Sequence, residues 1–181
     1  MRVGDAGVNE HLTETQEGGA CVLSRTGPLT VDLCHALQEA DARAASDDAV
    51  RGDDLTGQAS GYDLNARDLG ALAEAFAQLT AAIEACPKPV VATLSGLVRN
   101  EGLDLSLAAQ SCVAAKDAQI VMDAVEVGLI PGGGGTQRLP RAIGPEAALH
   151  LMLSGETWDI TDRRMQGVAQ TIVSGDADLA A

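Results

Sequence analysis

Apolar residues recur at intervals of three and four in two stretches of the chain, and this spacing predicts two amphipathic helices. The first helix follows Thr30, whose hydroxyl is suited to cap a helix N-terminus. The second covers residues 69–86 and stops before Pro87 and Pro89, which do not continue a helix. The repeating apolar positions are Leu33, Leu37 and Ala40 in the first helix, and Leu72, Ala75, Phe76, Leu79 and Ile83 in the second.

A central run, residues 88–141, alternates short apolar segments with helix patterns. Its first strand is predicted at Val90–Leu94, followed by a helix over residues 101–115 and an extended segment at residues 118–122. It closes on the turn Pro131-Gly132, four consecutive glycines and a new helix start. Strand-to-helix turns expose backbone N–H groups, and helix N-termini carry partial positive charge. The run therefore suits an anionic or carbonyl-bearing ligand.

Several segments of this run resemble the crotonase superfamily, the enoyl-CoA hydratase/isomerase family. The matching segments are K-P-V-V-A at residues 88–92, D-A at residues 117–118, and G-L-I-P-G-G-G-G-T-Q-R-L-P-R at residues 128–141. The last block is long and specific, so its occurrence by chance is negligible. The resemblance extends over residues 20–173.

The resemblance implies an α/β fold of repeated ββα units, a crotonase-like fold truncated at the C-terminus because the family's final helices do not follow. It divides the chain into a loose N-terminal tail (1–19), a core domain (20–173) and an acidic tail (174–181). Residues 158–166 correspond to a late helix of the family, which a short strand follows at residues 171–173.

The segment S-D-D-A-V-R-G-D-D-L-T-G at residues 46–57 corresponds to a buried parallel strand of the family. Asp53 and Asp54 stand where that strand has apolar side chains. Two carboxylates in a central strand are strongly unfavourable unless they are paired or protonated. We expect a frayed strand, a different register or a covering partner, in preference to a paired-carboxylate active site, because neighbours on a strand point to opposite faces.

In the family, two backbone N–H groups hold the carbonyl oxygen of a thioester. The resemblance assigns them to Arg67 and Glu101, although Asn100-Glu101-Gly102 replaces three family glycines. A carboxylate pointing inward at Glu101 would disfavour developing negative charge, whereas one pointing outward would leave the N–H able to serve. The accompanying substrate-binding positions are Ala66, Asp68, Gly102, Pro131 and Gly132.

Hydratases of the family use two glutamates. The first position is occupied here by Asp104, one methylene shorter, and the second by Ala124, with Asp123 beside it. Of the two carboxylates that the family's hydratases use to add water, the chain therefore retains at most one. One carboxylate and an oxyanion hole support proton transfer next to a thioester carbonyl, as in the family's isomerases. Asp104 is the first candidate base and Asp123 the second; the alternative for both is a solvated, non-catalytic carboxylate.

The composition and charge of the chain argue against several classes of function. The net charge of −14 argues against nucleic-acid binding, which needs lysine and arginine. The four cysteines and three histidines show no metal-binding spacing, so no metal site is expected. No apolar run is long enough to span a membrane, and the polar residues 1–19 lack a signal-peptide core. The expected location is therefore the cytoplasm, with no membrane partner.

The resemblance implies an enzyme of the enoyl-CoA hydratase/isomerase type, a lyase or isomerase that stabilises an enolate. Its substrate is an acyl-CoA or acyl-carrier thioester, with coenzyme A entering as part of the substrate and no separate cofactor. Homo-trimers, hexamers or a hetero-oligomer with a crotonase homologue are the implied assemblies. The alternative is a non-catalytic homologue that acts as an accessory subunit of an active enzyme.

Overall fold

The computed structural model describes residues 10–57 and 68–175 of the 181-residue chain. Strands and helices alternate along most of it. The strands are β1 (Leu12–Glu17), β2 (Ala20–Arg25), β3 (Gly52–Gly57), β4 (Val90–Leu94), β5 (Leu97–Arg99), β6 (Ser111–Ala115), β7 (Gln119–Val121), β8 (Thr157–Asp159) and β9 (Thr171–Val173). The α-helices are α1 (Val31–Ser46), α2 (Leu69–Ala85), α3 (Asn100–Ala108), α4 (Gly135–Ile143) and α5 (Pro145–Ser154), and 3₁₀ helices lie at Ala124–Val127 and Arg163–Met165.

Six strands form one sheet in the order β1-β2-β3-β4-β6-β9, and three form a second sheet in the order β5-β7-β8. In the large sheet β2, β3, β4, β6 and β9 run parallel, and only the edge strand β1 is antiparallel to its neighbour. Because β2, β3 and β4 are parallel, their carboxyl ends lie at the same edge of the sheet.

The predicted helices α1 and α2 form because their ends are capped locally. The Thr30 hydroxyl accepts a 3.1 Å hydrogen bond from the N–H of Leu33, and the Asp68 carboxylate accepts one of 2.9 Å from the N–H of Ala71. Their apolar faces pack with the large sheet in one core, whereas α3, α4, α5 and the small sheet enclose a second core. The largest fully buried side chains are Leu23, Leu29, Leu33, Phe76, Leu79, Ile83, Leu103, Ile120, Met122, Leu139, Leu151 and Met165.

The predicted N-terminal tail is wrong for residues 12–17, which form β1 and pair with β2 over its whole length. The segment L-T-E-T-Q-E buries only Leu12, so its strand state depends on the pairing and leaves little trace in the local pattern. The helix expected at residues 158–166 is also wrong: β8 and a short 3₁₀ helix occupy this segment. Residues 1–9 and 176–181 of the two predicted tails lie outside the described residues.

The predicted fraying of the acidic strand is likewise wrong, because β3 pairs in regular register with both β2 and β4. Asp53 lies opposite Cys21 and Val90 and is 2 % exposed, on the face covered by α1 and α2. Asp54 points to the other face and is half-buried. The two carboxylates therefore lie on opposite faces, as the strand geometry predicts, and do not form a paired site.

Candidate active site

Three buried charged side chains meet at the first turn of α3. Glu101 and Asp104 are three residues apart on this helix, and both are 0 % exposed. Arg25 reaches Glu101 from the carboxyl end of β2 and is 5 % exposed. Its Nη2 atom lies 3.8 Å from Oε1 of Glu101. The sheet edge and the helix N-terminus thus bring together one cation and two carboxyl groups out of contact with bulk water.

The Glu101 side chain points into the protein, towards Arg25, so the outward orientation considered from the sequence is wrong. Burial lowers the pKa of the Arg25 guanidinium, and the Glu101 charge opposes that shift. Each group provides the counter-charge that makes burial of the other tolerable. The negative charge that Glu101 introduces next to the predicted oxyanion position is therefore balanced by a cation from a different strand.

Asp104 is enclosed by the glycine run that precedes α4. Its Oδ2 atom accepts a 3.1 Å hydrogen bond from the N–H of Gly133, while Oδ1 has no hydrogen-bond partner within residues 10–57 and 68–175. A Cβ atom on Gly135 would lie 1.9 Å from Oδ1, and one on Gly133 would lie 2.3 Å from the Phe76 ring. The glycines are needed because the main chain itself packs against the carboxyl group and the ring.

Burial raises the pKa of Asp104 from 3.8 to about 7, and the nearby charge of Glu101 acts in the same direction. The Gly133 N–H and the more distant Arg138 act against this shift. A carboxyl group with a pKa near neutrality exchanges its proton readily at physiological pH. This is the property required of a general acid or base.

An apolar cavity of about 60 Å³ lies between α2 and the loop that leads to α4, and Asp104 is not part of its wall. Phe76 contributes to the cavity wall, and its ring also lies close to Gly133, the residue that packs against Asp104. The remaining lining residues are Leu69, Leu72, Ala73, Leu129, Ile130 and Gly132. The cavity provides an apolar space, with no charged wall, beside the buried acid–base group.

A second, smaller cavity of about 30 Å³ lies on the Arg25 side of α3, and Gly102 is part of its wall. Polar groups of Thr56, Thr93 and Ser106 also line it. This volume is enough for one or two water molecules. Gly102 therefore borders this smaller cavity, which aliphatic side chains also line, and not the cavity beside α2.

Asp123, the second candidate base, is held by an ion pair and a hydrogen bond. Its Oδ2 atom pairs with Arg99, and its Oδ1 atom accepts a 2.7 Å hydrogen bond from Asn100 Nδ2. Asn100 Oδ1 in turn accepts a 3.1 Å hydrogen bond from the N–H of Ala124. These contacts tie the start of α3 to the 3₁₀ helix. They commit the Asp123 carboxylate to a structural contact, away from Asp104.

The other predicted positions divide between the cavity, a helix cap and the undescribed segment. Gly132 lines the apolar cavity, and Pro131 precedes it in the same loop. The Asp68 side chain is used as the N-cap of α2. Ala66 and Arg67 lie outside the described residues, so one of the two predicted oxyanion amides is not located.

Sequence reasoning did not identify Arg25, Phe76 or Arg99 as parts of this region. Phe76 was interpreted only as a packing residue of α2. Arg99 comes near Asp123 through the parallel pairing of β5 with β7, in which Arg99 lies opposite Val121. Arg25 lies in the R-T-G-P turn, which resembles the family's N-R-P turn, and this was the available signal for its position.

A family model described as enoyl-CoA hydratase/isomerase matches residues 30–180. The chain belongs to the enoyl-CoA hydratase/isomerase family. It is 44 % identical over 89 residues to a probable enoyl-CoA hydratase of Bacillus subtilis (strain 168), an alignment that covers 49 % of this chain and 34 % of that protein. The chain thus spans about a third of the length of this curated relative.

The crotonase-like fold is supported by solved structures of the same family. A crystal structure of an enoyl-CoA hydratase from Bacillus anthracis matches with a TM-score of 0.83 and 25 % identity, over 91 % of this chain and 70 % of that one. An enoyl-CoA hydratase/isomerase family protein from Silicibacter pomeroyi matches with a TM-score of 0.84 and 27 % identity, over 93 % of this chain and 78 % of that one. These matches show the predicted α/β crotonase fold. In the described residues 10–57 and 68–175, no helix has the length and apolar character needed to cross a bilayer.

Proposed function

We propose that this chain binds an acyl-CoA or acyl-carrier thioester and transfers a proton next to its carbonyl group, with Asp104 as the acid–base residue. The observation that carries this proposal is the placement of Asp104: it is fully buried, has a pKa of about 7 and packs against Gly133, next to Phe76 and Gly132 of the apolar cavity wall. An acyl chain in the cavity would bring the carbon next to its carbonyl close to a carboxyl group able to accept a proton. Coenzyme A takes part only as a portion of the substrate.

The enolate formed by this step would be held by two backbone amides, those of Glu101 and Arg67. Glu101 lies in the first turn of α3, where main-chain N–H groups take acceptors from outside the helix. Each well-placed donor of this kind stabilises the developing oxyanion by about 3–4 kcal/mol. The Arg25 cation supports this assignment because it offsets the Glu101 carboxylate that would otherwise oppose a second negative charge.

Isomerisation is the favoured reaction, and hydration is not. Adding water across a double bond in this family uses a second carboxylate, at the position occupied here by Ala124. The neighbouring Asp123 is held by Arg99 and Asn100 and does not replace it. A single group that removes a proton at one carbon and returns it at another fits a shift of the double bond within the acyl chain.

The missing second carboxylate also favours a second candidate function, a non-catalytic subunit that accompanies an active homologue. In that case the protein would assemble with another member of the family and either bind a thioester without turnover or bind none. Homo-trimers or hexamers are proposed for the enzyme, and a hetero-oligomer for the accessory subunit.

The two functions are separated by steady-state assays with crotonyl-CoA for hydration and a 3-enoyl-CoA for isomerisation. We expect turnover of the 3-enoyl-CoA, with a pH dependence centred near 7 from Asp104. Asp104→Asn should reduce kcat by about 10²–10⁴-fold, the contribution of a positioned acid–base group. Asp162→Asn, the same substitution at an exposed pair with Arg164, is the matched control and should retain the wild-type rate.

Thioester binding, measured separately by calorimetry, completes the test. Turnover by Asp104→Asn at the wild-type rate would refute the role of Asp104. Tight binding of the thioester by the wild type with no conversion of either substrate would establish the accessory function in its place. The mass in solution, alone and mixed with a family homologue, distinguishes homo-oligomer from hetero-oligomer.

A further inference from the structure

A second group of buried reactive side chains lies near the N-terminal end of β3, whereas Arg25 lies at the carboxyl end of the neighbouring strand β2. Asp41 of α1, Asp53 of β3 and Cys86 at the end of α2 point towards one another, and one oxygen or sulfur atom of each lies within 4.8 Å of the others. Asp53 is the second residue of β3, whereas Arg25 pairs with the last residue of that strand. The group is therefore separate from the candidate active site.

Both carboxyl groups are buried, and that of Asp53 has no hydrogen-bond donor among residues 10–57 and 68–175. Asp53 is 2 % exposed and Asp41 is 6 % exposed. Within residues 10–57 and 68–175, neither oxygen of Asp53 nor Oδ1 of Asp41 has a hydrogen-bond partner. A carboxylate removed from water in this way is strongly destabilising unless a cation or a proton compensates its charge.

The nearest ammonium group is engaged elsewhere. Lys88 Nζ donates hydrogen bonds of 2.8 and 2.6 Å to the carbonyl oxygens of Ala44 and Asp47. Its charge acts on Asp53 from a distance and favours the ionised form. Glu14, which adds a further negative charge on the β1 side, is itself paired with Arg43 at 2.9 Å. Lys88 therefore compensates the negative charge of the group only from a distance.

We propose that Asp41, Asp53 and Cys86 bind a divalent transition-metal ion of the Zn²⁺ class. Two carboxylate oxygens and one thiolate are ligands of Zn²⁺, and three protein ligands leave a fourth tetrahedral position for water. The thiolate selects against Mg²⁺ and Ca²⁺, which require oxygen ligands. A mutual separation within 4.8 Å allows all three atoms to approach one central ion after small side-chain rotations.

The group is accessible to an ion from solution through its sulfur ligand, because Cys86 is half-buried at the end of α2. Burial raises the pKa of Cys86, and the charges of Asp41 and Asp53 raise it further. Burial and Asp41 also raise the pKa of Asp53 to about 7. The ion therefore competes with protons for these ligands.

Cobalt provides the test, because Co²⁺ occupies Zn²⁺ sites and a thiolate ligand gives it a charge-transfer absorption band in the near ultraviolet. The full chain is titrated with Co²⁺, followed by Zn²⁺, Mg²⁺ or Ca²⁺ as competitors. We expect one equivalent of Co²⁺ to produce the thiolate band, Zn²⁺ to abolish it, and excess Mg²⁺ or Ca²⁺ to leave it unchanged. Zn²⁺ should also raise the melting temperature of the protein.

Variants assign the ligands. Cys86→Ala should lose the band, and Asp53→Asn should weaken Zn²⁺ binding by more than about 10-fold. Cys112→Ala, the same substitution at a buried cysteine outside the group, should retain both the band and the Zn²⁺-dependent melting shift. The two ligand variants test the site independently, so misfolding of one does not leave the proposal undecided.

Three results would overturn the proposal: absence of the thiolate band, its persistence in Cys86→Ala, or displacement of Co²⁺ by Mg²⁺ or Ca²⁺. The proposal would also be overturned if Cys112→Ala weakened metal binding as much as Cys86→Ala does, since binding would then not depend on the proposed ligands. If Zn²⁺ leaves the melting temperature unchanged and Asp53→Asn stabilises the chain at pH 8, a proton shared between Asp41 and Asp53 compensates the buried charge in place of a metal.

Discussion

Substitution of Asp104 by asparagine should make the stability of the protein less sensitive to pH. The pKa of Asp104 is about 7 in the folded chain, compared with 3.8 for an aspartate side chain exposed to water, as in the unfolded chain. Below pH 3.8 both states are protonated, and the folded state holds its full advantage. As the pH rises towards and through 7, the unfolded state ionises first and this advantage is lost. Asparagine does not titrate, so Asp104→Asn should show no such loss.

The magnitude follows from the separation of the two pKa values. A difference of about three pH units corresponds to about 4 kcal/mol over the whole titration, at 1.36 kcal/mol per unit. Between pH 5 and pH 8 the wild type should lose about 2–3 kcal/mol of unfolding free energy from this group. The stability of Asp104→Asn relative to the wild type should therefore rise by that amount across the interval.

Urea unfolding followed by circular dichroism at pH 5, 6, 7 and 8 measures this difference. Asp53 also titrates near pH 7, but it is present in both proteins and its contribution cancels in the difference. Asp162→Asn is the control, since hydrogen bonds from Arg164 lower the pKa of Asp162 to about 2 and it stays ionised throughout the interval. A difference between Asp104→Asn and wild type that stays constant from pH 5 to pH 8 would refute the raised pKa and the acid–base role built on it.

Two further substitutions test the packing around α3. Arg25→Met removes the cation that faces the buried carboxylate of Glu101 and should lower the free energy of unfolding by about 3–5 kcal/mol. Adding Glu101→Gln should restore most of the lost stability. A double variant no more stable than Arg25→Met would contradict the pairing. Gly135→Ala places a methyl group 1.9 Å from Oδ1 of Asp104 and should lower the free energy of urea unfolding by about 1–3 kcal/mol. The control Gly132→Ala meets no atom within 4 Å and should change stability by less than about 0.5 kcal/mol. Equal effects of the two substitutions would refute the close approach of Gly135 to Asp104.

The parts of the fold that the sequence predicted are those determined by local chemistry. α1 and α2 begin where Thr30 and Asp68 provide caps, and α2 ends before Pro87. Their apolar repeat reflects one buried face, which is a property of the helix itself. The glycine-rich block before α4 was also identified, because few other sequences allow a main chain to pack so closely.

The failures involve interactions between distant segments. β1 is a strand because β2 pairs with it, and Asp53 of β3 lies beside Asp41 of α1 and Cys86 at the end of α2, which are distant from it in the sequence. No local pattern contains these contacts. Residues 158–166 had the length of a helix but form β8, whose Trp158 is 3 % exposed in the second core.

The candidate site was predicted in the same uneven way. Asp104 was predicted from its correspondence to a glutamate of the family's hydratases, but its burial and its hydrogen bond from Gly133 required the structure. The position of Glu101 was identified, whereas the direction of its side chain depends on Arg25, which belongs to another strand far away in the sequence. Asp123 had the right residue type, and its contact with Arg99 depends on the pairing of β5 with β7, which no local pattern shows.

The buried carboxyl groups of Asp53 and Asp104 also bear on how the purified protein will behave. Both bind protons more tightly in the folded chain, so mild acidity favours the native state through each of them. The isoelectric point of the sequence is about 4.3, and a protein close to that pH has little net charge to keep its molecules apart. Acidic buffers that favour the native state through these two groups therefore also bring the protein closer to precipitation, and crystallisation trials should start just above pH 5.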